Sequence, residues 1–147
     1  MKVYKNPIPT VDAIIQKSSD ILLITRKKNP FKDYLALPGG FVNEGETIEF
    51  ALKREVFEET SLIVDPIDIL GVYSDPTRDP RGHIMTVVFI CIVIDGTPSA
   101  GDDAKMTNWI SINDLNNTKI AFDHKLILND YLKWRNINGT FWTNKHR

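Results

Sequence analysis

Residues 38–62, PGGFVNEGETIEFALKREVFEETSL, constrain the fold of this chain more than any other stretch. Residues 47–60 read as a helix, rich in Leu, Ala, Glu, Lys and Arg. With Ile48 at the middle of the buried stripe and a step of about 100° per residue, Ala51, Leu52 and Val56 fall on one side. Glu55 and Glu59 fall on that side too, and Glu58 lies at its edge. A merely solvated acidic face would sit opposite Ile48. Carboxylates on a core-facing stripe are desolvated and repel one another, so something must compensate them.

A hard divalent cation bound by oxygen ligands at the rim of the core is the simplest compensation. Glu55 and Glu59 are four residues apart, and Glu55 and Glu58 three, so all three can converge on one ion. Arg54 is four residues before Glu58 and can steady it. Gly39 and Gly40 let the preceding backbone turn tightly and aim carbonyls at the same point. Glycine loop and glutamate helix together make a magnesium site.

This stretch resembles the Nudix box, the signature of the Nudix hydrolases. Gly40, Glu46, Arg54, Glu55, Val56, Glu58, Glu59 and Leu62 match eight of its nine defined positions at the right spacing. The departure is Ser61, where the family has a glycine that closes the helix in a left-handed conformation. Serine there is expected to cost about 1 kcal/mol in strain, or to force a different cap. The resemblance implies Mg²⁺, with Mn²⁺ as the alternative, held by Glu55, Glu58, Glu59 and the Gly39 carbonyl. It makes Arg54 the residue that orients the catalytic glutamates.

A chain of 147 residues has room for one domain with a sizeable core. Net charge near −1 gives no electrostatic basis for general nucleic-acid or membrane binding, so neither is expected as a partner. Residues 1–10 lack an apolar signal region, and no run approaches a membrane span. The single cysteine, Cys91, precludes an intramolecular disulfide. It lies in the apolar run VVFICIVI, reads as an inert core thiol, and fits a cytoplasmic protein.

Along the chain, residues 11–16 and 21–25 read as a hairpin of buried strands. Arg26-Lys27-Lys28 follows, with Asn29-Pro30 marking a turn. Two readings of this cluster stay open: a solvated edge, or Arg26 reaching a phosphate. Phe31 and Tyr34 either stack on a base or cover the core. Residues 63–73 read as one or two strands interrupted by Pro66. The next segment, YSDPTRDPRGHIM over residues 73–85, is stiffened by two Asp-Pro pairs. It carries Arg78, Arg81 and His83, suited to anionic oxygens. Asp75 and Asp79 can pair with these arginines, so a self-satisfied loop is the competing reading. The segment is similar to one in Nudix enzymes of the ADP-ribose pyrophosphatase branch. On that likeness Arg26, Phe31, Asp75, Arg78, Arg81 and His83 are the expected substrate contacts.

Residues 86–94 form the clearest strand, apolar throughout and so central. Residues 106–112 make another, carrying Trp109. The family often has a glutamate near this tryptophan as metal ligand or base. Here Asn108 precedes Trp109, and the candidates for the base are Asp102 and Asp103 in an acidic loop. Residues 122–136 read as a second amphipathic helix, with Leu126, Ile127, Tyr131 and Trp134 on its apolar side. Asp123 suits its N-cap, and His124 reads as a capping or packing residue. Residues 138–147 read as a loose tail or as a cover for the domain or a second subunit.

Strands with one helix mid-chain and one near the end imply a mixed sheet between helices. The resemblance implies the same α/β fold, an α/β/α sandwich in one domain over residues 1–147. It implies a hydrolase of nucleoside diphosphates linked to a second group, with ADP-ribose the leading substrate and AMP and ribose 5-phosphate the products. A homodimer is a further implication. The alternatives are a Nudix hydrolase of damaged nucleoside triphosphates, dinucleoside polyphosphates or NADH, and a non-catalytic ADP-ribose sensor. Sensors of that type carry a further DNA-binding domain, for which too few residues follow the last helix, and the box carboxylates are intact here.

Overall fold

The two apolar runs near the N-terminus become β1 (Ile8–Lys17) and β2 (Asp20–Arg26), an antiparallel hairpin with Gln16 opposite Ile21 and Lys17 opposite Asp20. The computed structural model describes residues 1, 3–101 and 104–147, with Lys105 in its backbone only. Beyond the hairpin turn the two strands diverge. The chain that follows fills the split: β3 (Leu35–Ala36) pairs with β2, and β4 (Gly39–Phe41) pairs with β1. The glycine segment expected as a loop is therefore a short strand.

On its other edge β1 runs parallel to β6 (Ile84–Asp95), which pairs antiparallel with β5 (Ile63–Tyr73). β7 (Ala104–Ser111) lies antiparallel to β2. The sheet is thus mixed, in the order β3-β2-β1-β6-β5-β8, where β8 is Phe141–Trp142, with β4 on β1 and β7 on β2. β5 is one strand despite Pro66, because the register shifts there and the missing N–H falls at the irregularity.

The alternation of β1 and β6 distributes the core between two helices. Val11, Ala13, Ile15, Phe89 and Cys91 pack with Ala51, Leu52 and Val56 of α1 (Ile48–Thr60). Ile14, Val88 and Ile90 pack on the opposite face with Ile127, Leu128 and Tyr131 of α2 (His124–Ile137). This is the expected sandwich. No helix among the described residues is long and apolar enough to cross a membrane. Cys91 is buried, and burial pushes its thiol up to about 12, which leaves it unreactive.

The last residues lie against the domain. Phe141 is buried, and β8 (Phe141–Trp142) runs parallel to β5. The Arg147 guanidinium grips both oxygens of Asp130, a fully buried carboxylate that also accepts the Tyr73 hydroxyl at 2.8 Å.

Thr47 caps α1 by accepting the Phe50 N–H at 3.2 Å, and Ser61 closes it. Ser61 takes the left-handed conformation (φ 64°) of the glycine it replaces, and its hydroxyl bonds Ser99 at 2.9 Å. Ser61→Gly should therefore raise stability by about 1 kcal/mol, since the serine–serine bond is exposed and a left-handed Cβ is strained. A higher urea midpoint at unchanged m-value would show this. An unchanged or lower midpoint would mean that the Ser99 contact offsets the strain.

Candidate active site

The split between β1 and β2 opens into a cleft of about 210 Å³, lined among others by Asp12, Arg26, Gly39, Gly40, Glu55, Glu59, Arg81, Phe122 and His124. Its carboxylate wall follows from the pairing of β1 with β4. Ala13 donates to the Pro38 carbonyl (2.8 Å) and Val42 to that of Pro9 (3.2 Å), so Asp12 and Gly39 between them are a non-hydrogen-bonded pair. The N–H and C=O of Gly39 consequently turn away from β1. The N–H is taken up by Glu59 Oε2 at 3.0 Å. Gly40 has no room for a side chain: a Cβ there would stand 2.3 Å from the carboxyl carbon of Glu55. Gly40 thus lets the Glu55 carboxylate press against the strand backbone, whereas a Cβ at Gly39 would meet the Val11 carbonyl and Asp12 of β1.

Arg54 organises the outer side of this wall. It donates to Glu46 through Nε (2.7 Å) and Nη2 (2.9 Å), and through Nη1 to Glu55 (2.8 Å) and Glu58 (3.2 Å). A further bond reaches the Phe41 carbonyl at 3.0 Å. Glu46, held below the usual carboxylate range by Arg54, also accepts the Asn43 N–H at 2.7 Å and ties the helix to the preceding loop. Glu59 is buried, at 7% exposure, whereas the Glu58 side chain is 39% exposed and does not line the cleft. Among the described residues no three His, Cys, Asp or Glu side chains form a group that could hold a metal. The convergence of all three of Glu55, Glu58 and Glu59 implied by helical spacing is thus absent in this arrangement: Glu55 and Glu59 line the cleft, while Glu58 pairs with Arg54 outside it. In kind the donors still suit a hard dication: two cleft-lining carboxylates beside a carbonyl turned away from its strand partner.

Cationic and aromatic side chains line the same cleft. Arg26 donates through Nε to the Pro30 carbonyl (2.8 Å) and lies over the Phe122 ring at 4.8 Å. Arg81 makes a two-point contact with Asp79, at 3.1 and 2.8 Å, and lines the cleft. Arg78 also lines it, but its buried guanidinium is committed to Asp123 at 2.9 and 2.7 Å and to the Ile84 carbonyl at 3.3 Å. That pairing occupies both Asp123 oxygens, which is why Asp123 stands at the start of α2 without making the expected side-chain cap.

The other expected substrate residues lie outside the cleft lining. Asp75 accepts from the N–H and hydroxyl of Thr77, each at 2.7 Å. His83 is exposed, with Nε2 at 3.0 Å from the Ser74 carbonyl. Phe31 packs edge-on against Tyr34 and Phe122, at 5.5 and 4.9 Å between centroids, behind the cleft wall. Asp102 and Asp103 lie outside the described residues.

Among the cleft residues that escaped the reading of the sequence as site residues are Asp12, His124 and Phe122. Asp12, 8% exposed, accepts the Thr86 hydroxyl at 2.6 Å. Burial pushes its carboxyl up to about 7, against the opposing pull of the Arg78 guanidinium. The neighbouring His124 is pushed down to about 3, by burial first and then by Arg78 and Arg26. The Leu37 N–H donates to its Nδ1 at 3.0 Å, so the neutral ring carries its proton on Nε2, 3.8 Å from Asp12 Oδ2. A signal for Asp12 was present, since an acid inside the apolar run VDAII has to be paired or functional. His124 and Phe122 arrive through a contact that no local pattern encodes: Leu35 donates to the Lys119 carbonyl (2.9 Å) and accepts from the Ala121 N–H (2.8 Å). This bridge carries the start of α2 to the cleft.

The family model described as NUDIX domain matches residues 6–131. The chain is 53% identical over 135 residues to an ADP-ribose pyrophosphatase of Methanocaldococcus jannaschii, covering 92% of this chain and 79% of that protein. A bifunctional NMN adenylyltransferase/ADP ribose pyrophosphatase from Francisella tularensis superimposes with a TM-score of 0.79 at 34% identity, covering 90% of this chain and 42% of that one. A MutT/nudix family protein from Enterococcus faecalis does so with 0.77 at 29% identity, covering 92% and 64%. The chain spans less than two thirds of either solved chain. With the family model covering most of its length and Gly40, Glu55 and Glu59 of the box lining the cleft, this chain belongs to the Nudix family.

Proposed function

We propose that this chain hydrolyses ADP-ribose to AMP and ribose 5-phosphate in a reaction that depends on a divalent cation, Mg²⁺ with Mn²⁺ as a substitute. The observation that carries the chemistry is one cleft lined by two carboxylates, Glu55 and Glu59, and by two guanidinium groups, Arg26 and Arg81. Such a lining suits a diphosphate: the arginines would hold its anionic oxygens, and a cation held by the glutamates would neutralise its charge. The 53% identity to an ADP-ribose pyrophosphatase supports the substrate.

Glu55, Glu59 and the Gly39 carbonyl would hold the cation, with Glu58 joining if its side chain turns inward from Arg54. A bound divalent cation supplies charge neutralisation at the diphosphate and lowers the pKa of a bound water. Arg54 keeps the glutamates in place. Arg26 and Arg81 bind the phosphate oxygens, and the buried Arg78, paired with Asp123, fixes the wall beside them. Water adds to one phosphorus, the bond from that phosphorus to the bridging oxygen breaks, the other phosphate departs with that oxygen as its monoester, and the water protons pass to solvent.

The test is a hydrolysis panel with Mg²⁺ that sets ADP-ribose beside ADP-mannose, NADH, a diadenosine polyphosphate and 8-oxo-dGTP, with an EDTA control. Preference for ADP-ribose, abolished by EDTA, is expected. Preference for another compound overturns the substrate, and turnover in EDTA overturns the metal dependence. A cytoplasmic location and a homodimer belong to the same proposal. Exposed Ile63, Ile67 and Ile69 on β5, with Ile92 and Ile94 on β6, offer the apolar surface for a second copy. A monomeric mass in light scattering removes the dimer.

A further inference from the structure

Phe122 has a left-handed backbone (φ 54°), which a bulky residue adopts only where its surroundings hold it. The Leu35 bridge ends one residue earlier, at Ala121, and the turn places the Phe122 ring in the cleft wall. Two guanidinium groups from distant segments meet that ring. Arg26, at the end of β2, lies 4.8 Å from its centroid, and Arg81, in the loop after β5, lies 5.6 Å away. Arg81 is also 5.4 Å from the Phe41 ring and clamped by Asp79. Phe31 at 4.9 Å and His124 at 5.3 Å buttress Phe122 from behind.

A side chain that only covers core has no use for two cations on its ring. Like charges converging on one point repel, and the ring quadrupole and Asp79 hold them there. The ligand that gains most is one with two adjoining anionic groups. We propose that Phe122 is a positioning residue for diphosphate binding, its ring setting the Arg26 and Arg81 guanidinium groups in the cleft that Glu55 and Glu59 line. This inference rests on the diphosphate hydrolysis proposed above and adds the residue that orders its cationic wall.

The experiment compares Phe122→Leu, which keeps apolar bulk and removes the π face, with Phe122→Tyr, which keeps the ring. Steady-state hydrolysis of ADP-ribose with Mg²⁺ is measured, together with calorimetric binding of inorganic pyrophosphate and of adenosine in EDTA. Phe122→Leu should raise KM about tenfold while kcat stays within about twofold, and weaken pyrophosphate binding about tenfold, the scale of a desolvated cation–π pair. Adenosine binding should be unchanged, and Phe122→Tyr should behave as wild type. Unaltered KM and pyrophosphate binding in Phe122→Leu overturn the inference. An equal loss for adenosine overturns it in favour of base stacking. A fall in kcat with a lowered melting temperature overturns it in favour of packing. If the wild type does not hydrolyse ADP-ribose, the substrate reading fails separately, and the pyrophosphate comparison still decides the role of Phe122.

Discussion

Glu59→Gln is expected to lower kcat by about a hundredfold to a thousandfold while leaving the fold intact. Glu59 is the most buried of the box carboxylates, and its Oε2 accepts the Gly39 N–H at 3.0 Å. Glutamine has the same shape and retains an acceptor for that amide, so the junction of α1 with β4 should hold. What disappears is a full negative charge at the place where a dication would be bound. A thousandfold loss corresponds to about 4 kcal/mol of transition-state stabilisation, within the range of losing one charged group in a dry site. Three readouts separate this from misfolding: kcat on ADP-ribose, Mn²⁺ affinity by EPR, and melting temperature. Mn²⁺ should bind at least tenfold more weakly while the melting temperature is unchanged or higher. Glu49→Gln, in the exposed first turn of the same helix, is the control and should be silent. Wild-type turnover in Glu59→Gln would remove the metal assignment.

Asp12→Asn and His124→Gln should tilt the pH dependence of stability in opposite directions. Burial raises Asp12 from 3.8 to about 7 and lowers His124 from 6.5 to about 3. For Asp12, whose folded value is raised, stability is fully present below about pH 4 and is lost as pH rises toward 7. For His124, whose folded value is depressed, stability is fully present above about pH 6.5 and is lost as pH falls toward 3. Each slope is about 1.4 kcal/mol per pH unit. Between about pH 4 and 6.5 they oppose, so the wild type should be nearly flat with respect to these two groups. Asp12→Asn leaves the histidine slope alone, and stability should then climb by about 3 kcal/mol across that window. His124→Gln, which can still accept the Leu37 N–H, leaves the aspartate slope and should decline by a similar amount. Urea unfolding of the metal-free protein at pH 4, 5, 6 and 7 measures this. Parallel profiles for the three proteins would show that neither group is perturbed in the native state.

The helix from Thr47 to Ser61, its buried stripe and the placement of Glu55 and Glu59 were legible in the sequence, because residues three and four apart share a face whatever surrounds them. So were β1, β2 and β6, whose largely apolar runs mark strands buried in the sheet, and β7 as a further strand around Trp109. Arg54 was legible as the organiser of the glutamates, although its strongest contacts go to Glu46, eight residues away across the helix start. The loop with its Asp-Pro pairs was legible as ordered. Which of its charges point where was not: Arg81 and Arg78 line the cleft, while Asp75 and His83 bond their own loop.

By itself the sequence determined the family, the carboxylate helix and the two-faced sheet, since each rests on spacing within one element or on a contiguous motif. Only the tertiary structure decided which groups share the cleft. Asp12 from β1, Gly39 from β4, Arg26 from β2, Arg81 from a loop and Phe122 from the approach to α2 meet where β1 and β2 part and the Leu35 bridge closes the gap. Tertiary burial also shifted Asp12 and His124, because desolvation depends on what encloses a group and not on its neighbours in sequence.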